Sequence, residues 1–265
     1  IDYSTKLALA LKTKGLINIQ YVISNGEIYV IEVNPRSSRT VPYLSKVTGV
    51  PMIDIATRIM LGETLENMGY TSGLYPNANH VAVKVPVFSF EKLAGLDTSL
   101  GPEMKSTGEV LGIAPTLNEA LYKGLLGAGY HFDSKGGVLI TVRDTDKEEV
   151  IQIAKDFSTL GFHLYATEGT TNTLRENGLN VTMVHKIHES EHNTISLLES
   201  GKVNYIISTT KKGRSPRLDS VKILRKSVEL GIPCLTSLDT AKALTRILAM
   251  DYTPKKTSVI DISTL

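Results

Sequence analysis

At 265 residues, 42% of them hydrophobic, the chain has room for two domains with ordinary cores. Aromatics are only 6% and tryptophan is absent, so those cores must be aliphatic. The 29 Lys and Arg against 27 Asp and Glu argue against a nucleic-acid scaffold held by bulk charge. The single cysteine, Cys234, excludes an internal disulfide framework and fits a reducing, cytoplasmic setting, and no apolar run is long enough to predict a membrane span.

The chain opens on Ile1, with Asp2 to Lys14 predicted as helix and Gly15 as its stop. A start inside a domain is the expectation. Ile17, Ile19, Tyr21 and Ile23 then alternate with polar residues as a strand, and Ile28 to Val33 forms the return strand after the turn signal Asn25-Gly26. Parity gives a register. If all odd positions share one apolar face, the loop must hold three residues, Ser24-Asn25-Gly26, and Asn18, Gln20, Glu32 and Asn34 gather on the other face. A helix is predicted over 51–61, a strand over 81–87, a Gly- and Pro-rich loop through 101–112 and a helix over 117–126.

Glycines at 129, 136 and 137 mark the expected domain border. Beyond it, strands at 138–142, 162–166, 181–184, 205–208 and 233–235 alternate with helices at 147–160, 170–177, 193–199, 219–230 and 237–249. Such alternation predicts a parallel sheet covered by helices on both faces, with ligands at the C-terminal strand ends.

Two constellations carry chemistry. In the front half, Gln20, Glu32 and Asn34 offer oxygen donors that suit Mg²⁺ or Mn²⁺, and Arg36 and Arg39 follow with guanidinium groups that suit phosphate. The bland alternative is a polar, water-facing sheet surface. In the rear half, Thr167-Glu168-Gly169-Thr170 spans a strand end and a helix start, a ready phosphate cradle. Thr141, Lys147, Lys186 and Ser208-Thr209-Thr210 fall at neighbouring strand ends. Singly each residue reads as a cap or a solvated lysine; on one sheet edge they point to a phosphorylated ligand. His185, His188 and His192 lack the surroundings of a zinc site, Lys211-Lys212-Gly213-Arg214 is read as an effector-site loop, and Cys234 as a small core residue.

The run from Ile31 through Glu32-Val33-Asn34-Pro35-Arg36 to Pro42, with Gly15 to Gln20 before it, resembles the second ATP-grasp signature of the carbamoyl-phosphate synthase large subunit. Ser45 to Pro51 and Leu100 to Val110 also resemble that family, and the resemblance runs through the rear half. It implies an α/β chain: a partial ATP-grasp α+β domain over 1–129, then a doubly wound parallel-sheet, methylglyoxal-synthase-like allosteric domain over 130–265. It also implies Gln20, Glu32 and Asn34 as ligands of Mg²⁺ or Mn²⁺ bound with ATP, and Arg36 beside the phosphate transferred to carbamate. The intact enzyme would make carbamoyl phosphate from ammonia, bicarbonate and ATP for pyrimidine and arginine synthesis, with a glutamine amidotransferase small subunit as partner.

Thr141, Lys147, Thr167, Thr170, Lys186, Ser208 and Thr210 are similar to the family's site for a nucleotide effector such as UMP. Ser208 and Glu168 replace the asparagine and histidine of the best-known members, and Val85 and Leu235 stand where an ornithine pocket would be acidic. Ornithine is therefore not expected as an activator; phosphoribosyl diphosphate is the substitute. The chain by itself is expected not to turn over, because the rest of an ATP-grasp site would precede Ile1. The alternative reading is a free-standing lyase of the methylglyoxal synthase type.

Overall fold

A computed structural model describes residues 1–88, 104–209, 219–253 and 255–262. Two compact units emerge, Ile1–Val81 with Val259–Leu265, and Ala82–Ser258. The segment between this division and the expected border at 129/130 packs with the second unit, through rings: Tyr122 lies 4.9 Å from Phe132 and 5.4 Å from Tyr252. Among the described residues no helix is long and apolar enough to cross a membrane.

In the first unit, helix α1 (Asp2–Ala10) stops short of the predicted end, because Lys12 already takes a positive φ of 50°. The hairpin of β1 (Asn18–Ser24) and β2 (Glu27–Asn34) corrects the predicted loop. Ser24 pairs with Glu27, so the loop holds two residues, Asn25 and Gly26, with φ of 52° and 81°. Both signs suit a tight turn that matches strand twist. Pairing nevertheless brings Gln20 opposite Glu32, because the register shifts between Gln20 and Tyr21 and leaves Ile31 as an extra residue. A three-residue loop would set Gln20 opposite Val30, so parity predicts the shared face of Gln20 and Glu32 correctly but neither the loop nor the pairing.

The bulge also breaks the expected common apolar face. Outside it Ile23 opposes Ile28 and Val22 opposes Tyr29, and these side chains, with Ile31 at 62%, are exposed. Helices α2 (Thr40–Thr48) and α3 (Met52–Met60) follow, joined through Gly49 at φ 68°. Ser45 Oγ accepts from Met52 N at 3.3 Å, which ties the two together. Pro42 sits in the first turn of α2, where its missing N–H costs nothing, but it hides the helix from a periodicity search.

In the second unit, β3 (Val81–Val87) pairs with β4 (Gly108–Ala114), and α4 (Leu117–Gly127) packs on β4. The predicted loop through 101–112 is therefore strand from Gly108 on; its residues up to 103 lie outside the described ones. Glycine explains both the strand and its poor legibility. A Cβ on Gly112 would collide with the Ala120 carbonyl oxygen and stand 2.6 Å from Gly124 N. Close helix–strand approach demands glycine here, and glycine weakens the strand signal. Glu119 on α4 accepts from Ser258 N at 2.6 Å and Ser258 Oγ at 2.7 Å, which holds its carboxyl below the usual range.

The rest of this unit is a five-stranded parallel sheet ordered β7-β6-β5-β8-β9. In chain order it runs β5 (Gly137–Thr141), α5 (Lys147–Thr159), β6 (His163–Thr167), α6 (Glu168–Glu176), β7 (Val181–Val184), α7 (Thr194–Glu199), β8 (Tyr205–Ser208), α8 (Asp219–Glu229), β9 (Cys234–Leu235) and α9 (Leu238–Ala249). Each predicted element beyond the border is present within two residues of its expected ends. Alternate residues of β5 serve opposite faces. Val138 and Ile140 join a core with Phe157 of α5, Leu174 of α6 and Leu244 of α9, whereas Leu139 joins Leu198 of α7 and Ile223 of α8. This is the doubly wound architecture, with helices on both faces.

Tyr205 is buried between Phe157 and Phe162, its hydroxyl accepts from Asp133 N at 2.8 Å, and burial pushes its pKa up to about 12. Cys234 is half-buried, and burial raises its thiol to about 11, which keeps it an inert core residue.

Replacing Gly112 with Ala should lower stability by about 2–3 kcal/mol, since the colliding atoms are backbone and no rotamer relieves them. A shift of the urea midpoint without a change in slope checks it; an unshifted midpoint would mean that α4 can move away.

Candidate functional site

Parallel strands deliver their C-termini to one edge, and the hydroxyls of this sheet collect there. Thr141 ends β5 and Ser208 ends β8; the two are ladder partners. Thr167 ends β6, and its hydroxyl lies 3.5 Å from that of Thr141. The chain reverses its direction of sheet growth at β5, from β6 and β7 on one side to β8 and β9 on the other. Ligand crevices of such sheets open at that switch point.

A cleft of ≈ 110 Å³ opens at this edge, lined by Thr141, Thr167, Lys186, Thr194, Asp219, Ser220 and Ile223. Three residues singled out from sequence, Thr141, Thr167 and Lys186, therefore share one cavity. Lys186 is exposed just beyond β7, where its backbone N–H bonds Glu189 Oε2 at 2.8 Å.

Beside the cleft, α6 begins directly after Thr167, with Thr170 buried in its first turn. Lys147, the first residue of α5, leans across: a Cβ on Gly169 would come 2.9 Å from its Nζ. The absent side chain at Gly169 is what lets that ammonium reach the start of α6. Lys147 also pairs with Asp144 at 2.8 Å. Ser208 is almost fully buried, and Thr210 with the run 211–214 lies outside the described residues.

Beneath this edge is a polar brace. Arg143 Nε donates to both oxygens of Asp146 at 2.8 Å, and Thr145 Oγ1 donates to Oδ1 at 3.0 Å. Thr209 Oγ1 accepts from Arg143 N at 3.2 Å, and Thr209 N donates to Thr141 O at 3.2 Å. Burial is the largest single influence on the Asp146 carboxyl and pushes it up; donors from Thr209, Arg143 and Thr145 together outweigh it and hold the pKa below the ordinary value.

Sequence patterns gave no hint of Thr194 and Asp219. Thr194 reaches the cleft because the loop after β7 folds back: His185 bridges Asn193, and Thr194 N donates to His185 O at 3.0 Å. Its hydroxyl is buried, on a residue 1% exposed, and has no hydrogen-bond partner among the described residues. Two of this loop's three histidines lie beside acids: His188 Nε2 is 3.0 Å from Asp219 Oδ1, and His185 Nδ1 is 3.9 Å from Glu189. Among the described residues no group of three His, Cys, Asp or Glu side chains gathers around a metal position.

In the first unit, Gln20 and Glu32 are cross-strand partners, and Asn34 Nδ2 donates to Glu32 Oε1 at 2.9 Å. Gln20, Glu32 and Asn34 therefore share one face of the hairpin, as parity predicted. Arg36 follows just past β2, with Nη1 bonded to Ser37 O at 3.0 Å.

Comparison with known families agrees with both halves. Residues 2–68 match the family described as carbamoyl-phosphate synthase L chain, ATP binding domain, and residues 149–236 match the MGS-like domain, the methylglyoxal-synthase-like fold. The chain thus joins part of an ATP-grasp ligase domain to a doubly wound MGS-like domain. In this order the pair corresponds to the C-terminal part of a carbamoyl-phosphate synthase large subunit.

The brace has a measurable signature. Because its folded pKa is depressed, Asp146 stabilises the fold above its ordinary pKa of 3.8, and that contribution disappears as pH falls through the lower folded value. Asp146→Asn should therefore cost about 2 kcal/mol at neutral pH, and the difference from the parent should shrink on acidification below the carboxylate range. Urea denaturation across pH measures this; a pH-independent difference would assign the loss to packing.

Proposed function

We propose that the MGS-like domain binds a phosphorylated nucleotide effector such as UMP, as the regulatory part of an enzyme that makes carbamoyl phosphate. The observation that carries this reading is the shared cleft of Thr141, Thr167 and Lys186, beside a helix start that Lys147 overhangs. The ligand phosphate would lie at the start of α6, where N–H groups of the first turn are free of intrahelical partners and the helix dipole favours an anion. Thr167 and Thr170 are the hydroxyl residues of that junction, Lys147 supplies the cation, and Ser208 and Thr210 extend the set at the next strand.

In the ATP-grasp part, Gln20, Glu32 and Asn34 would hold Mg²⁺ or Mn²⁺. The donor set fits such ions: one carboxylate and two amide groups are hard oxygen ligands, and they already share one face. Asn34 would have to turn its amide oxygen toward the ion, since its nitrogen now faces Glu32. A bound divalent ion would neutralise and orient the phosphate oxygens of ATP. Arg36 would release Ser37 O and offer its planar cation to the phosphate passed to carbamate. Pyrimidine and arginine synthesis, a glutamine amidotransferase partner subunit and a cytoplasmic setting belong to the same proposal.

Calorimetric titration of the chain with UMP, IMP, phosphoribosyl diphosphate and ornithine tests the effector reading. A phosphorylated ligand should bind and ornithine should not; no heat from any phosphorylated ligand would overturn it. Gly169→Ala should leave the fold intact, because the Cβ meets only the flexible end of Lys147. It should nevertheless weaken binding about tenfold by displacing that ammonium. The lyase alternative predicts methylglyoxal release from dihydroxyacetone phosphate, and none is expected: the described cleft presents the single carboxylate of Asp219 among hydroxyls.

A further inference from the structure

The chain that follows α9 is held against α4 at two points. Tyr252 lies against Tyr122 of α4, ring centroids 5.4 Å apart. Further on, Ser258 enters a small polar latch. Its hydroxyl donates to Glu119 Oε1 at 2.7 Å and accepts from Lys123 Nζ at 3.0 Å, and its backbone N–H donates to the same carboxylate oxygen at 2.6 Å. Lys123 also donates to Ile113 O of β4 at 3.0 Å and stands 3.3 Å from Glu119 Oε1. Residues 255–258 belong to no helix or strand, so these bonds and not a regular ladder fix their place.

The latch depends on one proton. The Ser258 hydroxyl relays between an ammonium that donates to it and a carboxylate that accepts from it. If another group replaces the hydrogen, Oγ and Glu119 Oε1 face each other as two acceptors. A phosphoryl group does this and adds a charge of about −1.5 to −2. Against that charge Lys123 offers a single cation, which Glu119 and Ile113 O already share. The Glu119 and Lys123 side chains are only 12% and 20% exposed, so solvent screens them little and repulsion between phosphate and carboxylate prevails.

The sequence around the latch suits an enzyme that would add such a group. Lys255 and Lys256 stand just before Thr257-Ser258, and both lysines and Ser258 are exposed, with Val259 at 95%. Lys256 pairs with Asp251 at 2.7 Å, but both side chains are more than half exposed, and a pair of that kind yields readily. Two cations at fixed spacing before a serine, on an irregular segment, form a charge pattern that an acid-lined kinase groove reads.

We propose that Ser258 is a phosphorylation site for a serine kinase of basic specificity, and that its modification releases residues 255–258 from α4. In the transfer, Ser258 Oγ bonds to the γ-phosphorus of ATP, the bond from that phosphorus to the bridging oxygen breaks, and ADP leaves. The hydroxyl proton passes to a carboxylate of the kinase. Glu119 then faces an ester oxygen in place of a donor, and only the Tyr252 ring contact still holds the segment. The latch shares no residue with the cleft, so this proposal and the effector reading stand or fall separately.

The test incubates the full chain with ATP and a serine kinase of basic specificity, maps the phosphate by mass spectrometry, and follows hydrogen exchange of the segment after α9. Ser258 should be labelled, and replacing Lys255 and Lys256 together with Ala should slow its labelling about tenfold. Exchange of the Ser258 amide, which Glu119 now protects, should quicken about tenfold in the phosphorylated chain and in Ser258→Glu. Ser258→Ala keeps that N–H bond and adds no charge, so its exchange should change less. Glu119→Gln removes the repelling charge, and phosphorylation of that variant should quicken exchange less than in the parent. No phosphate on Ser258, or labelling indifferent to both lysines, would overturn the site. A phosphorylated Ser258 with unchanged exchange would overturn the release, by showing that Lys123 takes up the phosphate in place.

Discussion

The organisation of the second unit follows from the parallel ladder centred on β5. Val138, Leu139 and Ile140 are fully buried because both faces of this strand are covered. Parallel neighbours cannot be joined by hairpins, so every connection must cross over through a helix, and every strand must finish at the same edge. The chemistry of the edge is a consequence. Thr141, Thr167 and Ser208 come from residues far apart in sequence, yet the ladder brings their backbones into adjacent rows. No local motif has to encode the cleft; the strand direction does so.

The same constraint explains what could be read from sequence. Strand and helix alternation beyond residue 137 is legible because buried parallel strands are continuous apolar runs, as in Val138 to Ile140 and Tyr205 to Ile207, bounded by helix stops such as Gly161 and Gly231. Strand ends then identify Thr141, Thr167 and Lys186. Thr194 escapes because it reaches the edge through the irregular loop between His185 and Asn193, whose path depends on a single bridge and carries no period. Asp219 escapes because it reads as an ordinary acidic residue at a helix start, and only the fold shows that it lines the cleft with His188 Nε2 3.0 Å from its Oδ1.

In the first half the failures have different causes. β4 is hidden by the glycines that its close contact with α4 requires, and α2 by Pro42 and its β-branched residues. Parity alone could not foresee a bulge, since alternation specifies which residues share a face but not where an extra residue is absorbed. The shared face of Gln20 and Glu32 survives because the shorter loop and the bulge each reverse the parity and so cancel, although the partner of Gln20 is Glu32 and not the Val30 that a three-residue loop would give.

That cancellation has a mechanical side. Ile31 acts as a phase adapter in the hairpin: outward from it the ladder obeys the turn at Asn25 and Gly26, and inward it obeys the row that holds Gln20, Glu32 and Asn34. Without the extra residue, the turn would impose its own parity on the whole hairpin and set Gln20 against an aliphatic side chain. With it, the tip and the donor row are geared separately. Sequence drift in the turn can then be taken up at one exposed residue, and the oxygen-bearing row keeps its alignment.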